Sequence, residues 1–515
     1  MKGKLFVSLL ACCLSVSALA QEIVYPESVK PMFERADAQV HPGRSSWPMI
    51  AVPECREARR LVRLIQKAGA SAVLIPATED GAALREMAFS WDGAAIPDGW
   101  VKERSAFSVL FYKAVADQNI PHTGTSALSQ EIDKGLMRYD GALPDVASLL
   151  KKAAVFRHAK ALMDSTLAID AHGDLPCCYE DGYELGVRQR NQVSLQKMEE
   201  GHLSSRVLIS YLGQKGLDEE SSRKAFAKCD GLIDEILVDI DKNKAWCGLA
   251  RTEEEALRLK AEGKKAFFLG IENGYGIGND LRNVKHYADR GVIYMTLSHL
   301  YDNAICHSST HSADTTLGLT PFGREVVAEM NRHGILVDVS HCSSGTFWDC
   351  IQYSQAPILC SHSGAKAVFN HDRNLTDAQL RALALTGGLV MVYIVPDYMR
   401  SDKKDATLDD MMQHLRHCIR VAGVDHVGIS CDFDGGGGGW GLNGDNDVIN
   451  VTVRLLEAGF SDEEIRKIWS GNFFRVLKSA QNFSVPVLME LRRRYPKHAW
   501  PDNPLEAVPV RGLKK

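Results

Sequence analysis

The chain is organised around the stretch Ile169-Asp170-Ala171-His172-Gly173-Asp174-Leu175-Pro176. It continues an apolar run that begins at Leu167, and its proline ends the run. If the stretch is a strand, His172 and Asp174 point to the same side, because side chains alternate with a period of two. An imidazole and a carboxylate on one face at the end of a buried strand form half of a metal site. The alternative is a solvated turn that contains a histidine by chance.

Histidines and carboxylates end further apolar runs downstream. A single buried histidine is more often a hydrogen-bonded core residue, but here each one ends a separate run. Two imidazole–carboxylate sets suit two divalent ions, and the mixture of nitrogen and oxygen ligands favours zinc. Two such ions can share a carboxylate, hold a hydroxide and polarise a carbonyl group. The candidate site comprises His172, Asp174, Glu272, His299, His341, His362 and Asp432.

Strand and helix patterns alternate many times after Leu167. The strand candidates end at His172, Tyr211, Glu272, His299, His341, His362, Tyr393 and Asp432. Helical patterns between them cover about 218–240, 252–262, 280–290, 321–333, 344–355, 376–386 and 404–423. Apolar strands of this kind predict an α/β protein with a (β/α)8 TIM barrel over residues 166–485, with its chemistry at the carboxyl ends of the strands. A doubly wound open sheet is the alternative, but its strand ends would not converge on one point.

A smaller α/β pattern precedes the barrel. Short strand candidates stand at 49–53, 72–76 and 93–97, with helical patterns between them. This order predicts a small extra N-terminal domain over residues 21–135 that contains a parallel sheet. A helical linker at 136–165 and a C-terminal tail at 486–515 complete the predicted organisation.

The first twenty residues have the pattern of a signal peptide. Lys2 and Lys4 precede an apolar segment, and Ala18-Leu19-Ala20 forms a small-x-small cleavage site. We therefore expect an exported protein, periplasmic or secreted. A lipoprotein signal with a lipidated Cys12 is the alternative. No later segment of the sequence is long and apolar enough to span a bilayer.

Composition narrows the range of partners. The 515-residue chain has a net charge of −5, which gives no reason to expect nucleic acid as a partner. A homodimer is compatible with the sequence. The 13 cysteines show no CxxC pair with zinc spacing, so most are interpreted as packing residues and no disulfide is assigned.

The barrel region resembles a known protein family. Residues 165–485 are similar to the membrane (renal) dipeptidases, zinc metallopeptidases of the amidohydrolase superfamily. The matching motifs are Asp170-Ala171-His172-Gly173-Asp174-Leu175-Pro176, Gly270-Ile271-Glu272-Asn273-Gly274, Thr296-Leu297-Ser298-His299, Val337-Asp338-Val339-Ser340-His341, Ser361-His362-Ser363, Arg373-Asn374 and Asp432-Phe433-Asp434-Gly435.

The resemblance implies two zinc ions. His172 and Asp174 match the ligands of the first ion, and His341 and His362 match those of the second. Glu272 matches the carboxylate that bridges both.

The resemblance also implies roles in catalysis and substrate binding. Asp432 matches an acid/base that moves a proton from the bridging water to the leaving amine. His299 matches a residue that binds the substrate carbonyl and stabilises the oxyanion. Arg373, with Asn374 beside it, matches the residue that binds the substrate carboxylate. The expected activity is hydrolysis of small dipeptides, with tolerance of a D-residue at the second position, and hydrolysis of β-lactams in some members.

Residues 45–135 resemble class I glutamine amidotransferases, which carry a nucleophilic cysteine in a Gly-x-Cys-x-Gly elbow. The nearest match here is Thr123-Gly124-Thr125-Ser126-Ala127, with Thr125 at the nucleophile position and no base nearby to activate it. We therefore predict a non-catalytic domain. An active amidotransferase-like hydrolase is the alternative for this region.

Two other functions remain open for the barrel. One is an amidohydrolase that acts on N-acyl amino acids, which a comparison of substrates would distinguish. The other is a catalytically inactive binding protein, which the metal content would distinguish.

Overall fold

The computed structural model describes residues 50–53, 72–75, 146–400, 406–439 and 441–482. The chain divides into two compact units, Met1–Ala161 and Leu162–Lys515. In the first unit, strands β1 (Ile50–Pro53) and β2 (Ala72–Ile75) pair in parallel, as predicted for the first two strands of the N-terminal sheet. The predicted third strand, the region around Thr125, the signal peptide and the C-terminal tail lie outside the described residues, and the domain boundaries stay predictions.

Helix α1 (Val146–Ser165) forms the later part of the predicted linker. The strands that follow are β3 (Ile169–Gly173), β4 (Ser205–Tyr211), β5 (Cys247–Leu249), β6 (Lys265–Glu272), β7 (Val292–Thr296), β8 (Leu336–Asp338), β9 (Leu359–Ser363), β10 (Leu389–Val392) and β11 (Val427–Ile429). The helices are α2 (Leu195–Glu200), α3 (Glu219–Lys242), α4 (Glu253–Ala261), α5 (Arg282–Arg290), α6 (Pro321–Arg332), α7 (Ser344–Tyr353), α8 (Asp377–Leu385), α9 (Pro396–Met399), α10 (Leu408–Ala422), α11 (Ile449–Glu457), α12 (Asp462–Arg466) and α13 (Asn472–Gln481). Within the described ranges, no helix combines the length and apolar character needed to cross a membrane.

Eight parallel strands form a nearly closed barrel. They pair in the order β11-β10-β9-β8-β7-β6-β4-β3, and a bridge between Gly173 and Phe433 joins the two ends of this path. The predicted (β/α)8 barrel is therefore confirmed. Strand β5 was not predicted: its three residues pair only with the start of β6, outside the eight-strand path, and are too few to show a pattern.

Two buried apolar clusters follow the alternation of side chains along the strands. On β4, Val207 and Ile209 belong to one cluster, while Leu208 belongs to the other. Helix α13 joins the Val207 cluster through Phe473 and Phe474, and its Arg475 donates hydrogen bonds to the carbonyl groups of Gly387 and Asp425. These carbonyls precede β10 and β11, so α13 covers the amino-terminal end of the barrel and leaves the carboxyl end for the polar residues.

Strands β3 and β9 are irregular next to His172 and His362. Strand β3 has one more residue than β4 between Asp170 and Gly173, and β9 has one more than β10 between Cys360 and Ser363. An extra residue of this kind re-aims the side chains next to it. His172 and His362 lie within these two irregular segments.

Three predicted strand ends were wrong. Strands β7, β8 and β11 end at Thr296, Asp338 and Ile429, so His299, His341 and Asp432 lie in the turns beyond them. His341 and Asp432 have φ angles of 65° and 59°, in the left-handed region that a strand cannot continue through.

A buried histidine holds the loop after β9. His414 on α10 is fully buried, and its Nδ1 accepts a hydrogen bond of 2.9 Å from the backbone N–H of Ala365. Arg373 follows in the same loop. Burial lowers the pKa of His414 to about 4, so the folded protein keeps this ring neutral and able to accept the bond.

We predict that His414 makes stability fall in mild acid. The unfolded chain protonates this ring below about pH 6.5, while the folded chain does so only near pH 4. Its contribution is therefore complete above about pH 6.5 and is lost as the pH falls towards 4, by about 3 kcal/mol at most. A His414→Asn variant keeps an acceptor but cannot titrate. Denaturant unfolding from pH 7.5 to 4 should show the two free energies of unfolding converging as pH falls, and parallel curves would contradict the prediction.

Candidate metal and catalytic site

A single carboxylate lies at the centre of the carboxyl end of the barrel. Glu272 ends β6 and is 4% exposed. Its Oε1 lies 3.0 Å from His341 Nε2 and 3.4 Å from His362 Nε2, while its Oε2 lies 3.6 Å from His172 Nε2. The two oxygens thus face different histidines, and Glu272 belongs to two ligand groups at once.

The two groups have the composition of metal sites. His172, Asp174 and Glu272 form one, and Glu272, His341 and His362 form the other; within each, the ligand atoms lie within 4.8 Å of one another and all residues are buried. Nitrogen and carboxylate oxygen in this combination suit zinc and similar divalent ions.

Unpartnered atoms support a cation at this place. Among the described residues, His172 Nε2, His362 Nε2 and both carboxylate oxygens of Asp174 are buried and have no hydrogen-bond partner. Buried polar atoms without partners are costly, so native proteins rarely leave them so. A bound cation would satisfy these acceptors together, and the donor set therefore fits a metal.

Tyr294 orients the His172 ring. The Tyr294 hydroxyl donates to the carbonyl of Ala171 (2.8 Å) and lies 2.7 Å from His172 Nδ1. Because its only proton is used, the hydroxyl oxygen must accept from Nδ1–H. The ring then carries its proton on Nδ1 and presents the Nε2 lone pair to the ligand group, as a metal ligand requires.

A parallel arrangement orients His362. Its Nδ1 lies 2.8 Å from the Ser361 hydroxyl, which in turn donates to Asp338 Oδ2 (2.6 Å). Asp338 also accepts the backbone N–H groups of Ser340 and Ser361, and is completely buried. This carboxylate therefore fixes both the turn that leads to His341 and the tautomer of His362.

The concentrated charge of the ligand groups shifts the pKa values of His172 and Glu272. Burial would lower the pKa of His172, but the Asp174 and Glu272 carboxylates outweigh it and raise that pKa to about 10. Burial would raise the pKa of Glu272, but the surrounding imidazoles hold it well below its usual range. Without a metal, the raised pKa keeps a second proton on the His172 ring. A divalent cation would displace this proton, because metal ligands must be deprotonated.

Asp432 lies next to the first group. Its Oδ1 is 4.0 Å from His172 Nε2, and the residue is 8% exposed. Burial, with the Glu272 carboxylate nearby, raises the pKa of Asp432 to about 6. A carboxylate with this pKa can both accept and return a proton near neutral pH.

His299 faces the second group from the rim. Its Nε2 is 3.9 Å from Glu272 Oε1, and its Nδ1 is 3.4 Å from the Tyr211 hydroxyl. Burial lowers the pKa of His299, so the ring is neutral. If Tyr211 donates to Nδ1, the ring carries its proton on Nε2, where it can donate to a substrate oxygen.

Arg373 is a buried cation on the same side. It is 3% exposed, donates to the carbonyl of His362 (3.2 Å), and its guanidinium carbon lies 5.8 and 5.5 Å from the ring centres of Tyr393 and Tyr398. No carboxylate of the described residues lies within ion-pair distance of it, and its Nε has no partner. A buried unpaired cation of this kind needs an anion from a ligand.

Asn374 is occupied within the protein. Its amide donates to the carbonyls of Phe369 (3.0 Å) and Tyr398 (2.8 Å) and accepts from the Tyr393 hydroxyl (2.8 Å). These bonds shape the loop that presents Arg373, and a direct contact of Asn374 with substrate stays a prediction.

The structure thus brings all seven residues of the predicted site together, with Arg373 beside them. Sequence patterns alone did not reveal which residues orient them: Asp170, Tyr211, Tyr294, Asp338 and Ser361. Two of these gave a signal, because Asp170 and Asp338 each interrupt an apolar run just before a predicted ligand. A carboxylate inside such a run is expected to accept hydrogen bonds from neighbouring backbone.

The chain is similar in sequence and fold to known dipeptidases. A family model described as membrane dipeptidase (peptidase family M19) matches residues 156–488. Dipeptidase tcpJ of Claviceps purpurea is 34% identical over 235 residues, which cover 45% of this chain and 55% of that protein. An uncharacterized dipeptidase of Schizosaccharomyces pombe is 30% identical over 333 residues, covering 61% of this chain and 81% of that protein. The chain therefore spans about half the length of the first relative and about four fifths of the second.

Solved structures share the fold. The probable dipeptidase PvdM from Pseudomonas aeruginosa has a TM-score of 0.60 at 25% identity, covering 64% of this chain and 99% of that one. A metallo peptidase from Rhodobacter sphaeroides, solved with a phosphinate mimic of the dipeptide L-Ala-D-Ala, has a TM-score of 0.56 at 22% identity, covering 61% and 99%. None of these relatives supports the amidotransferase resemblance of residues 45–135, which stays a prediction. The family model covers well over half of the chain, and the chain belongs to the membrane dipeptidase family, peptidase family M19.

Proposed function

We propose that this chain is a dipeptidase that uses two zinc ions to hydrolyse the peptide bond of small dipeptides. The proposal depends on the position of the Glu272 carboxylate. One of its oxygens faces His172, and the other faces His341 and His362. Membership of a dipeptidase family supports the reaction class. His172 and Asp174 would hold one ion, and His341 and His362 the other.

The residues around the ions divide the work of amide hydrolysis. When bound, the ions would lower the pKa of a water molecule and polarise the amide carbonyl. Asp432 accepts the proton of the attacking water and returns it to the leaving amine, which departs poorly without one. His299 donates Nε2–H to the carbonyl oxygen as negative charge develops there.

Arg373 defines the substrate. Its guanidinium donates to the backbone carbonyl of His362, so it is close enough to the ligand groups to bind the free carboxylate of a short peptide while the ions would hold the amide. In a dipeptide, that carboxylate lies only one residue beyond the scissile amide. We further propose that the chain is exported through its N-terminal segment and that it accepts a D-residue at the second position.

We predict metal-dependent cleavage of dipeptides by the mature protein. A panel of L-L and L-D dipeptides with matched N-acetyl amino acids should show cleavage of dipeptides that chelation abolishes and zinc restores. Asp432→Asn should retain the metal but lower kcat about 10²- to 10⁴-fold, because the proton carrier is lost. Asp349→Asn, which removes a carboxylate bonded to the N–H of Leu319 on another part of the barrel, is the matched control.

Other outcomes would redirect the proposal. Cleavage of only the N-acetyl amino acids would favour the other amidohydrolase reaction. Absence of both cleavage and bound metal would leave the binding-protein alternative.

We predict that Arg373 recognises the substrate carboxylate. Arg373→Met should raise KM for a dipeptide about 10- to 100-fold, the loss expected for a charge-assisted hydrogen bond. For the same dipeptide with an amidated C-terminus, cleavage of the peptide bond should stay nearly unchanged. Arg324→Met is the control, because Arg324 stacks on Tyr353 away from the ligand groups. Equal losses on the acid and the amide would show that Arg373 does not read the carboxylate.

A further inference from the structure

The barrel closes at a seam between β3 and β11, the two ends of the strand path. A backbone hydrogen bond joins the two sides of this seam: the N–H of Asp174 donates to the carbonyl of Phe433 (2.8 Å). His172 and Asp174 lie on the β3 side, and Asp432 lies on the β11 side. The distance between the proton carrier and the first ligand group therefore depends on what holds the seam together.

Asp170 bonds to both sides of the seam. This completely buried carboxylate accepts the backbone N–H of His172 (3.2 Å) and, with both oxygens, the backbone N–H of Cys431 (3.1 Å each). The first N–H belongs to a residue of the first ligand group, and the second belongs to the residue before Asp432.

Arg206 on β4 holds Asp170 in place. Its guanidinium lies 3.1 Å from Asp170 Oδ2, pairs with Asp445, and donates to the carbonyl of His172 (2.9 Å). It is completely buried and packs closely against Gly173, where an added Cβ would come to 2.5 Å from the guanidinium.

We propose that Asp170, held by Arg206, is a positioning residue that keeps Asp432 beside His172 and Asp174 in the productive arrangement. Asp432 has a left-handed φ of 59°, a conformation that is uncommon for residues other than glycine and is found mostly at turns. The Asp170–Cys431 bonds fix the Ser430–Cys431 peptide, which lies one peptide before the turn at Asp432. The inference rests on the proposed function, because it assigns a role toward the acid/base of that reaction.

The test is a double-mutant cycle between Asp170→Asn and Asp432→Asn in the zinc-loaded full chain. The asparagine keeps one acceptor but loses the second oxygen and the charge that pairs with Arg206. Asp170→Asn should lower kcat about 10- to 100-fold, because small displacements of a catalytic group have effects of this size. KM and the zinc content should stay within about two-fold of wild type, since the asparagine oxygen can still accept the N–H of His172 and Tyr294 still orients the His172 ring.

Coupling to Asp432 separates positioning from general support of the fold. In the Asp432→Asn background, Asp170→Asn should lower the remaining kcat less than about two-fold. Asp239→Asn is the matched control, because Asp239 is a buried aspartate that accepts the N–H of Leu185 (2.9 Å) on another part of the barrel. It should leave kcat unchanged.

Three results would overturn the inference while the wild-type enzyme cleaves dipeptides: normal kcat in Asp170→Asn, loss of zinc from that variant, or independent multiplication of the two effects. If Asp170→Asn does not fold, Arg206→Lys keeps the positive charge and should lower kcat in the same way, and normal kcat in it would overturn the inference. Wild-type protein without dipeptidase activity would instead contradict the proposed function.

Discussion

The carboxylate of Glu272 is buried among imidazoles from three other parts of the barrel, and the arrangement of the site depends on it. An isolated carboxylate at this depth would be strongly destabilising. His172, His341 and His362 approach it from separate strands or turns, so the barrel must close for the three rings to meet. The charge that makes this group costly to bury is also what makes it suitable for divalent cations. The fold and the proposed function thus place the same demand on the same residues.

Two buried aspartates hold the backbone next to these ligands. Asp170 accepts the N–H of His172 and of Cys431 across the seam between β3 and β11. Asp338 accepts the N–H of Ser340 and of Ser361, and so connects β8 with β9. In both cases the carboxylate accepts buried backbone N–H groups, which need a partner. The two aspartates thus hold the backbone next to the proposed ligands with side-chain hydrogen bonds.

Much of this site could be predicted from the sequence, because each ligand interrupts an apolar run and parallel strands bring their carboxyl ends together. The positions of His299, His341 and Asp432 beyond their strands could not, since apolar composition continues into the turns and hides where the strand bonds end. Tyr294 was also out of reach. A tyrosine inside an apolar strand has the pattern of a core residue, and only its 2.7 Å contact with His172 shows that it orients a ligand. Strand β5 was too short to give a pattern.

Anomalous diffraction at the zinc absorption edge, from crystals of the full chain grown with zinc, shows whether Glu272 is shared by two cation sites. We expect two anomalous peaks, one on each side of the Glu272 carboxylate, with His172 and Asp174 at the first and His341 and His362 at the second. A single peak, or two peaks that do not both contact Glu272, would contradict a shared carboxylate.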